Sequence, residues 1–247
     1  MQKRENLAHK EGTMGSIKKI FILHGWTYTT DKWLKFMKSI PENGFTPTLL
    51  HVPGLTAETE RVWTLHDYVE WLNGIISKEK EKSIVIGHSH GGRIAIAFAA
   101  KYPDKLKYLI LIASAGIYHN ELPVRMKRFV FKNIAKLGKR LTSSVILQGL
   151  LYKLAGESDY KNATPQMRQT MANLISVDLT QLLTKITTQT LLIWGEQDTL
   201  TPLTDGKLMH TRIKNSELYT VRSAGHSPHY THTKEIVQKI VEKISCI

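Results

Sequence analysis

The sequence predicts an α/β fold in which a mostly parallel central sheet is flanked by helices and interrupted by one inserted helical segment. Three observations predict it. From residue 17 onward, short β-type runs alternate with longer helical patterns. Several of the runs are aliphatic without polar alternation, as strands covered on both faces are. Residues 117–188 break the alternation, carrying helical pattern but no convincing strand. The 247 residues, 42% hydrophobic and 22% charged, suffice for one large core and exclude a disordered, collagen-like or coiled-coil chain.

Each element has a local reason. Residues 1–16 are polar without an apolar run, so they are expected to form a loose leader, neither signal peptide nor membrane anchor, with Met14 an alternative start. Strands are predicted at 17–23, 45–51, 83–87, 107–113, 190–194 and 217–221. Helix starts are marked by Thr30 or Asp31, by Thr64 with Asp67 three residues on, and by Pro202. The last helix, 234–244, sets Ile236, Ile240 and Ile244 on one stripe and is expected to close the sheet at its edge. Core segments at 17–116 and 189–247 then enclose the insertion, where Pro123, Gly138, Gly149, Gly156 and Pro165 punctuate helical pattern. The most apolar runs fall short of the roughly 20 residues of a membrane span. With the single Cys246 excluding an intramolecular disulfide, a reducing, cytoplasmic setting is expected.

The chemistry concentrates after the third strand. Gly87-His88-Ser89-His90-Gly91-Gly92 runs from a strand into the strong helical pattern that begins at Arg93, which is G-x-S-x-G in strand, turn and helix context. Such a turn strains the serine backbone and presents its hydroxyl at a helix N-terminus, with the glycines leaving room for the crossing. A serine hydroxyl is a weak nucleophile near neutral pH and needs a base and a group that orients the base. In elbow folds these follow in the order Ser, acid, His. Asp198 follows the strand at 190–194 and His226 follows the strand at 217–221, so parallel topology delivers both to the sheet edge that holds Ser89. Asp198 is expected to hold the imidazole tautomer and His226 to take the serine proton. His229 is a fallback base. An oxyanion site needs preorganised N–H donors. The candidates are the backbone N–H groups of His90, next to the nucleophile, and Trp26, in the loop after the first strand. His24 is read as bracing that loop.

These pieces, together with His51-Val52-Pro53-Gly54, Trp194-Gly195-Glu196-Gln197-Asp198 and Ala224-Gly225-His226, resemble the α/β-hydrolase superfamily over essentially the whole chain from residue 17. The resemblance implies an α/β-hydrolase fold and a Ser-His-Asp hydrolase, with the insertion similar to the helical cap over the active site. A serine at the elbow resembles esterases, lipases, thioesterases and hydrolases of carbon–carbon bonds. Ser89 argues against haloalkane dehalogenases and epoxide hydrolases, which carry Asp there. His51 departs from the acidic residue that relatives often have before Pro-Gly. The expected reaction is hydrolysis of a carboxylic ester through an acyl-enzyme. Alternatives are carbon–carbon bond hydrolysis of a dienoate and a ligand receptor on the same fold.

No cofactor is implied: the Gly87–Gly92 turn lacks the Lys of a P-loop, and the dinucleotide fingerprint is absent. No metal is expected either, because the histidines at 88 and 90 point apart and no carboxylate at zinc-enzyme spacing accompanies the histidines. Net charge is +13, and residues 117–188 carry 11 basic and 4 acidic side chains, hence +7 of it. Seven basic residues and no acid lie at 125–140, where Arg125, Arg128, Lys132, Lys136 and Lys139 form one helical stripe opposite Met126, Val130, Ile134, Leu137 and Leu141. Solvation of a lid helix is the plain reading. Attraction of anionic substrate and peripheral contact with an anionic membrane are the sharper ones. The expected partner is a small-molecule ester or related acyl substrate. Nucleic acid is not expected, since no binding motif accompanies the charge, and the oligomeric state is left open.

Overall fold

The computed structural model describes residues 18–27, 29–41, 44–119 and 164–245. The predicted leader at 1–16, Cys246 and the basic stripe at 125–140 lie outside the described residues. Six strands form one sheet: β1 (Lys18–Leu23), β2 (Phe45–Leu50), β3 (Ser83–His88), β4 (Leu106–Ile112), β5 (Thr190–Gly195) and β6 (Ser216–Val221). Every neighbouring pair is parallel, in the order β2-β1-β3-β4-β5-β6. The described strand ends fall within one residue of those expected. β3 and β5 are buried at every position, whereas edge strands β2 and β6 are half exposed along their middles, which is why the inner strands read as unbroken aliphatic runs.

Alternation along each strand sends side chains to two hydrophobic clusters. Phe21, Leu23, Val85, Leu109, Leu111, Leu192 and Trp194 point to one face, under α2 (Leu65–Ile76) and α3 (His90–Lys101). Ile20, Ile22, Ile84, Ile86, Ile110, Ile112, Leu191 and Ile193 point to the other, under α1 (Asp31–Met37) and the C-terminal helix. The α2 start is the expected capping box, in which the Thr64 hydroxyl accepts from the Asp67 N–H while the Asp67 carboxylate accepts from the Thr64 N–H. At Thr30 and Pro202 the chain turns into a helix without a side-chain cap.

Residues 164–188 contribute α4 (Pro165–Ile175) and α5 (Thr180–Leu183). Met167, Leu174, Leu179, Leu183 and Ile186 join the cluster under α2 and α3, so this end of the expected insertion shares the main core. After β5 come α6 (Leu203–Arg212), then α7 (Pro228–Thr231) and α8 (Thr233–Ser245). The α8 stripe of Ile236, Ile240 and Ile244 packs into the second cluster on the sheet face. Its polar side reaches the edge strand, where Lys239 and Lys243 pair with Glu217 and the Tyr219 hydroxyl donates to Glu235. The helix thus lies with its apolar stripe on the aliphatic sheet face and its polar side bonded to the edge strand.

The chain moves from β1 out to β2 and then returns to the other side of β1 for β3. This reversal is a topological switch point, the crevice where open α/β sheets hold ligands. Here the start of α3 passes at very short range beneath the end of β1 and the segment that follows β4. A Cβ on Gly91 would lie 2.1 Å from the Leu23 carbonyl oxygen, and one on Gly92 would lie 2.2 Å from the Ser114 hydroxyl. Gly91→Ala is expected to cost about 4 kcal/mol or more, since the opposing atom is backbone. Gly74→Ala, within α2 and facing open space, should gain about 0.5–1 kcal/mol. Urea unfolding midpoints of the two variants check both signs.

Candidate active site

Ser89 sits at the end of β3 with φ 51° and ψ −113°, a left-handed conformation that is uncommon for a residue with a Cβ. Its N–H bonds the Ile112 carbonyl at the end of β4, and its carbonyl accepts from Arg93 and Ala115, so both neighbours hold the turn. The side chain is thereby thrust out at the N-terminus of α3.

Asp198 and His226 arrive at the same edge from the loops after β5 and β6. His226 Nδ1 lies 2.9 Å from Asp198 Oδ2, and His226 Nε2 lies 3.0 Å from Ser89 Oγ. A carboxylate only accepts, so Nδ1 carries the hydrogen. Nε2 is then the acceptor, and the Ser89 hydroxyl donates to it. The Asp198 carboxylate is saturated: Oδ1 accepts from the Leu200 and Thr201 N–H groups at 2.9 and 3.0 Å, and Oδ2 from the Thr201 hydroxyl at 2.8 Å as well as from His226. Burial pushes its pKa up, but the His226 hydrogen bond and the backbone N–H groups outweigh burial and hold it below the usual carboxylate value.

Thr201 was not among the expected site residues. Its one hydroxyl hydrogen is shared between Asp198 Oδ2 and the Ala113 carbonyl oxygen at 3.1 Å, tying the loop after β5 to the end of β4, and the hydroxyl oxygen lies 3.2 Å from His226 Nδ1. The spacing Asp198-x-x-Thr201, which lets a side chain bond backbone three residues on, was the available sign.

His24, fully buried, braces its loop. Its Nδ1–H donates to the Gly25 carbonyl, and its Nε2 accepts from the Thr56 hydroxyl, each at 2.7 Å. A Cβ on Gly25 would lie 3.2 Å from Ser89 Cβ, so the backbone entering Trp26 passes beside the serine. The Trp26 ring meets the His90 ring edge-on at 5.5 Å. The His90 N–H, first in α3, has no acceptor within its own helix.

The histidines at 88 and 90 face different neighbours, His88 toward Trp33, His226 and His229, and His90 toward Trp26 and Tyr68. Burial first, then nearby positive groups, lowers each pKa to about 3, so both imidazoles are neutral near pH 7. His229, the fallback base, is fully buried in a stack on Trp33, and no ring nitrogen of it has a hydrogen-bond partner among the described residues. It is not brought to Ser89.

A second acid–imidazole pair lies close by. His119 Nε2 is 2.9 Å from Oδ1 of Asp205, a buried side chain on α6. Burial raises the Asp205 pKa, the His119 contact opposes the rise, and the Asp198 charge adds to it.

A model of the alpha/beta hydrolase fold family matches residues 19–233. A pimeloyl-[acyl-carrier protein] methyl ester esterase of Neisseria meningitidis serogroup B is 24% identical over 243 residues, covering 89% of this chain and 90% of that protein. Monoacylglycerol lipase ABHD6 of Mus musculus is also 24% identical, over 96% of this chain and 78% of its own length. Among solved structures, a bacterial membrane phospholipase A superposes with a TM-score of 0.71 at 20% identity, over 92% of this chain and 78% of that one. The meta-cleavage product hydrolase CumD of Pseudomonas fluorescens IP01 gives 0.66 at 17% identity, over 94% and 92%. Both structural likenesses are of fold.

Because the folded pKa of Asp205 lies above its unfolded value, the ionised form costs stability as pH rises through the folded pKa. Asp205→Asn should therefore melt higher than the parent at pH 7, with the gain shrinking toward pH 4.5. Thermal unfolding at the two pH values gives the comparison, and a gain that grows on acidification would contradict it.

Proposed function

The chain belongs to the alpha/beta hydrolase fold family, and from that premise we propose that it is a serine hydrolase cleaving a carboxylic ester through an acyl-enzyme. It is an alpha/beta hydrolase with esterase- and lipase-type relatives. The observation that carries the finer reading is the continuous relay from the Ser89 hydroxyl through His226 to Asp198, at 3.0 and 2.9 Å, on a strained turn at the switch point.

In this reading Ser89 Oγ attacks the ester carbonyl carbon as its proton passes to His226 Nε2. The imidazolium so formed is stabilised by the Asp198 carboxylate, which the Leu200, Thr201 and His226 hydrogen bonds keep ionised and aimed. The carbonyl oxygen becomes an oxyanion held by the N–H groups of His90 and Trp26, each such donor being worth roughly 10²–10³ in kcat. Collapse expels the alcohol, which takes the proton from His226. Water then repeats the sequence on the acyl-enzyme with His226 as its base, releasing the acid and restoring Ser89.

The insertion at 117–188 serves in this proposal as a cap. Its described ends are fastened to each other and to the scaffold: the Tyr118 N–H bonds Asp178, the Leu179 N–H bonds the Gly116 carbonyl, and Arg93 Nη1 donates to the Val177 carbonyl at 2.6 Å. No described helix is long and apolar enough to cross a membrane.

With p-nitrophenyl butyrate, Ser89→Ala is expected to lower kcat by a factor on the order of 10⁴–10⁶ and Asp198→Asn by about 10⁴. A fluorophosphonate probe should modify the parent stoichiometrically at Ser89 and leave the alanine variant unlabelled. Undiminished turnover in Ser89→Ala would overturn the assignment.

A further inference from the structure

We propose that His88 is a positioning residue for the base, holding the His226 imidazole in register with Ser89 through the His226 backbone carbonyl. The inference rests on the triad reading above. His88 is the last residue of β3 and precedes Ser89 directly. Its Nε2 lies 2.9 Å from the His226 carbonyl oxygen, across 138 residues of sequence. A carbonyl only accepts, so this bond requires the hydrogen on Nε2.

The consequence is geometric. The His226 ring must satisfy two partners at once, Ser89 Oγ and Asp198 Oδ2. It does so from a loop that leaves β6 through Ser223, itself at φ 59°. An imidazole has two side-chain torsions, so its placement depends on where its own backbone sits. The His88 bond fixes that backbone to the residue covalently joined to the nucleophile. Displacement of the elbow then carries the base along with the serine, and the distance between Oγ and Nε2 is preserved.

The His88 ring is built to do this and little else. It is buried, and it packs against the rings of His226 at 5.0 Å, His229 at 4.4 Å and Trp33 at 6.0 Å. A Cβ on Gly25 would stand 2.8 Å from His88 Nδ1, so the residue opposite has to be glycine for the ring to lie where it does. Burial, reinforced by the neighbouring His226, keeps the ring neutral near pH 7, and a neutral ring with its hydrogen on Nε2 is the form this bond needs. It stays so when His226 takes the serine proton, which would otherwise set two positive rings 5.0 Å apart.

The amide nitrogen of Gln reaches about as far as Nε2 and that of Asn only as far as Nδ1, so the two amides separate the hydrogen bond from mere polarity. Four variants are compared with the parent on p-nitrophenyl butyrate: His88→Gln, His88→Asn, His88→Leu and His229→Leu. The last disturbs the same aromatic stack, yet His229 makes no hydrogen bond to His226. Misplacing a catalytic group by about 1 Å costs roughly 10²-fold. The expected result is a 10–100-fold loss of kcat in the Asn and Leu variants of His88 with KM within two-fold. His88→Gln should return to within about three-fold of the parent, and His229→Leu should stay within two-fold. Fluorophosphonate labelling of Ser89 should slow in parallel with kcat. Parental kcat in His88→Leu, a Gln variant no better than Asn, or an equal loss in His229→Leu would each overturn the positioning role while leaving the triad intact. A parent protein that the probe does not label would instead bring down the triad reading itself, and this inference with it.

Discussion

The site depends on one crowded contact, the passage of the β3–α3 turn beneath the end of β1. Gly91 lies so near the Leu23 carbonyl that no side chain fits between them, and Gly92 lies equally near Ser114. That closeness leaves Ser89 no room to relax toward the ordinary helical or extended regions. Its left-handed backbone costs on the order of 1–3 kcal/mol, a cost tolerated because the surrounding strands over-determine the position. Exposure of the hydroxyl, the free N–H at the head of α3 and the proximity of the loop at Gly25 all follow from the same crossing. The parallel sheet supplies the rest, because every strand ends at this edge.

Around the turn the polar groups are sorted by what burial permits. One carboxylate, Asp198, is kept charged by four donors converging on its oxygens. Its neighbour Asp205 has an imidazole for a partner and is pushed the other way. His24, His88, His90 and His229 are all buried, and burial lowers the pKa of each. A charge that appears on His226 during turnover would therefore face neutral rings behind it and a fixed anion at its side. Environment alone thus favours the charged form of one residue and disfavours that of another of the same type.

Much of this was legible in the sequence. Strand ends were readable because inner strands, buried on both faces, cannot hide polar residues, and the turn was readable because Gly-x-Ser-x-Gly solves a steric problem that few other patterns solve. The order of Ser89, Asp198 and His226 could be inferred since strand ends, which a parallel topology collects at one edge, are visible as pattern breaks. What sequence did not disclose were bonds between groups with no fixed spacing. Thr201 reaching back to Ala113, and His88 reaching the His226 carbonyl, join segments 88 and 138 residues apart. The partners of the last helix were hidden for a similar reason. An amphipathic stripe tells which side of a helix is buried and says nothing of the surface that buries it.

The fastening of the two stems has an evolutionary meaning. Gly116, Tyr118 and His119 on the outgoing side, and Val177, Asp178 and Leu179 on the returning side, are bound to one another or to Arg93 and Asp205 of the scaffold. Everything threaded between residues 119 and 177 starts and finishes on anchored backbone. Sequence drift, or a transplanted segment, in that interval meets the same two posts whatever its composition. If the insertion serves as the proposed cap, new specificity could be sampled there without the sheet having to be solved again.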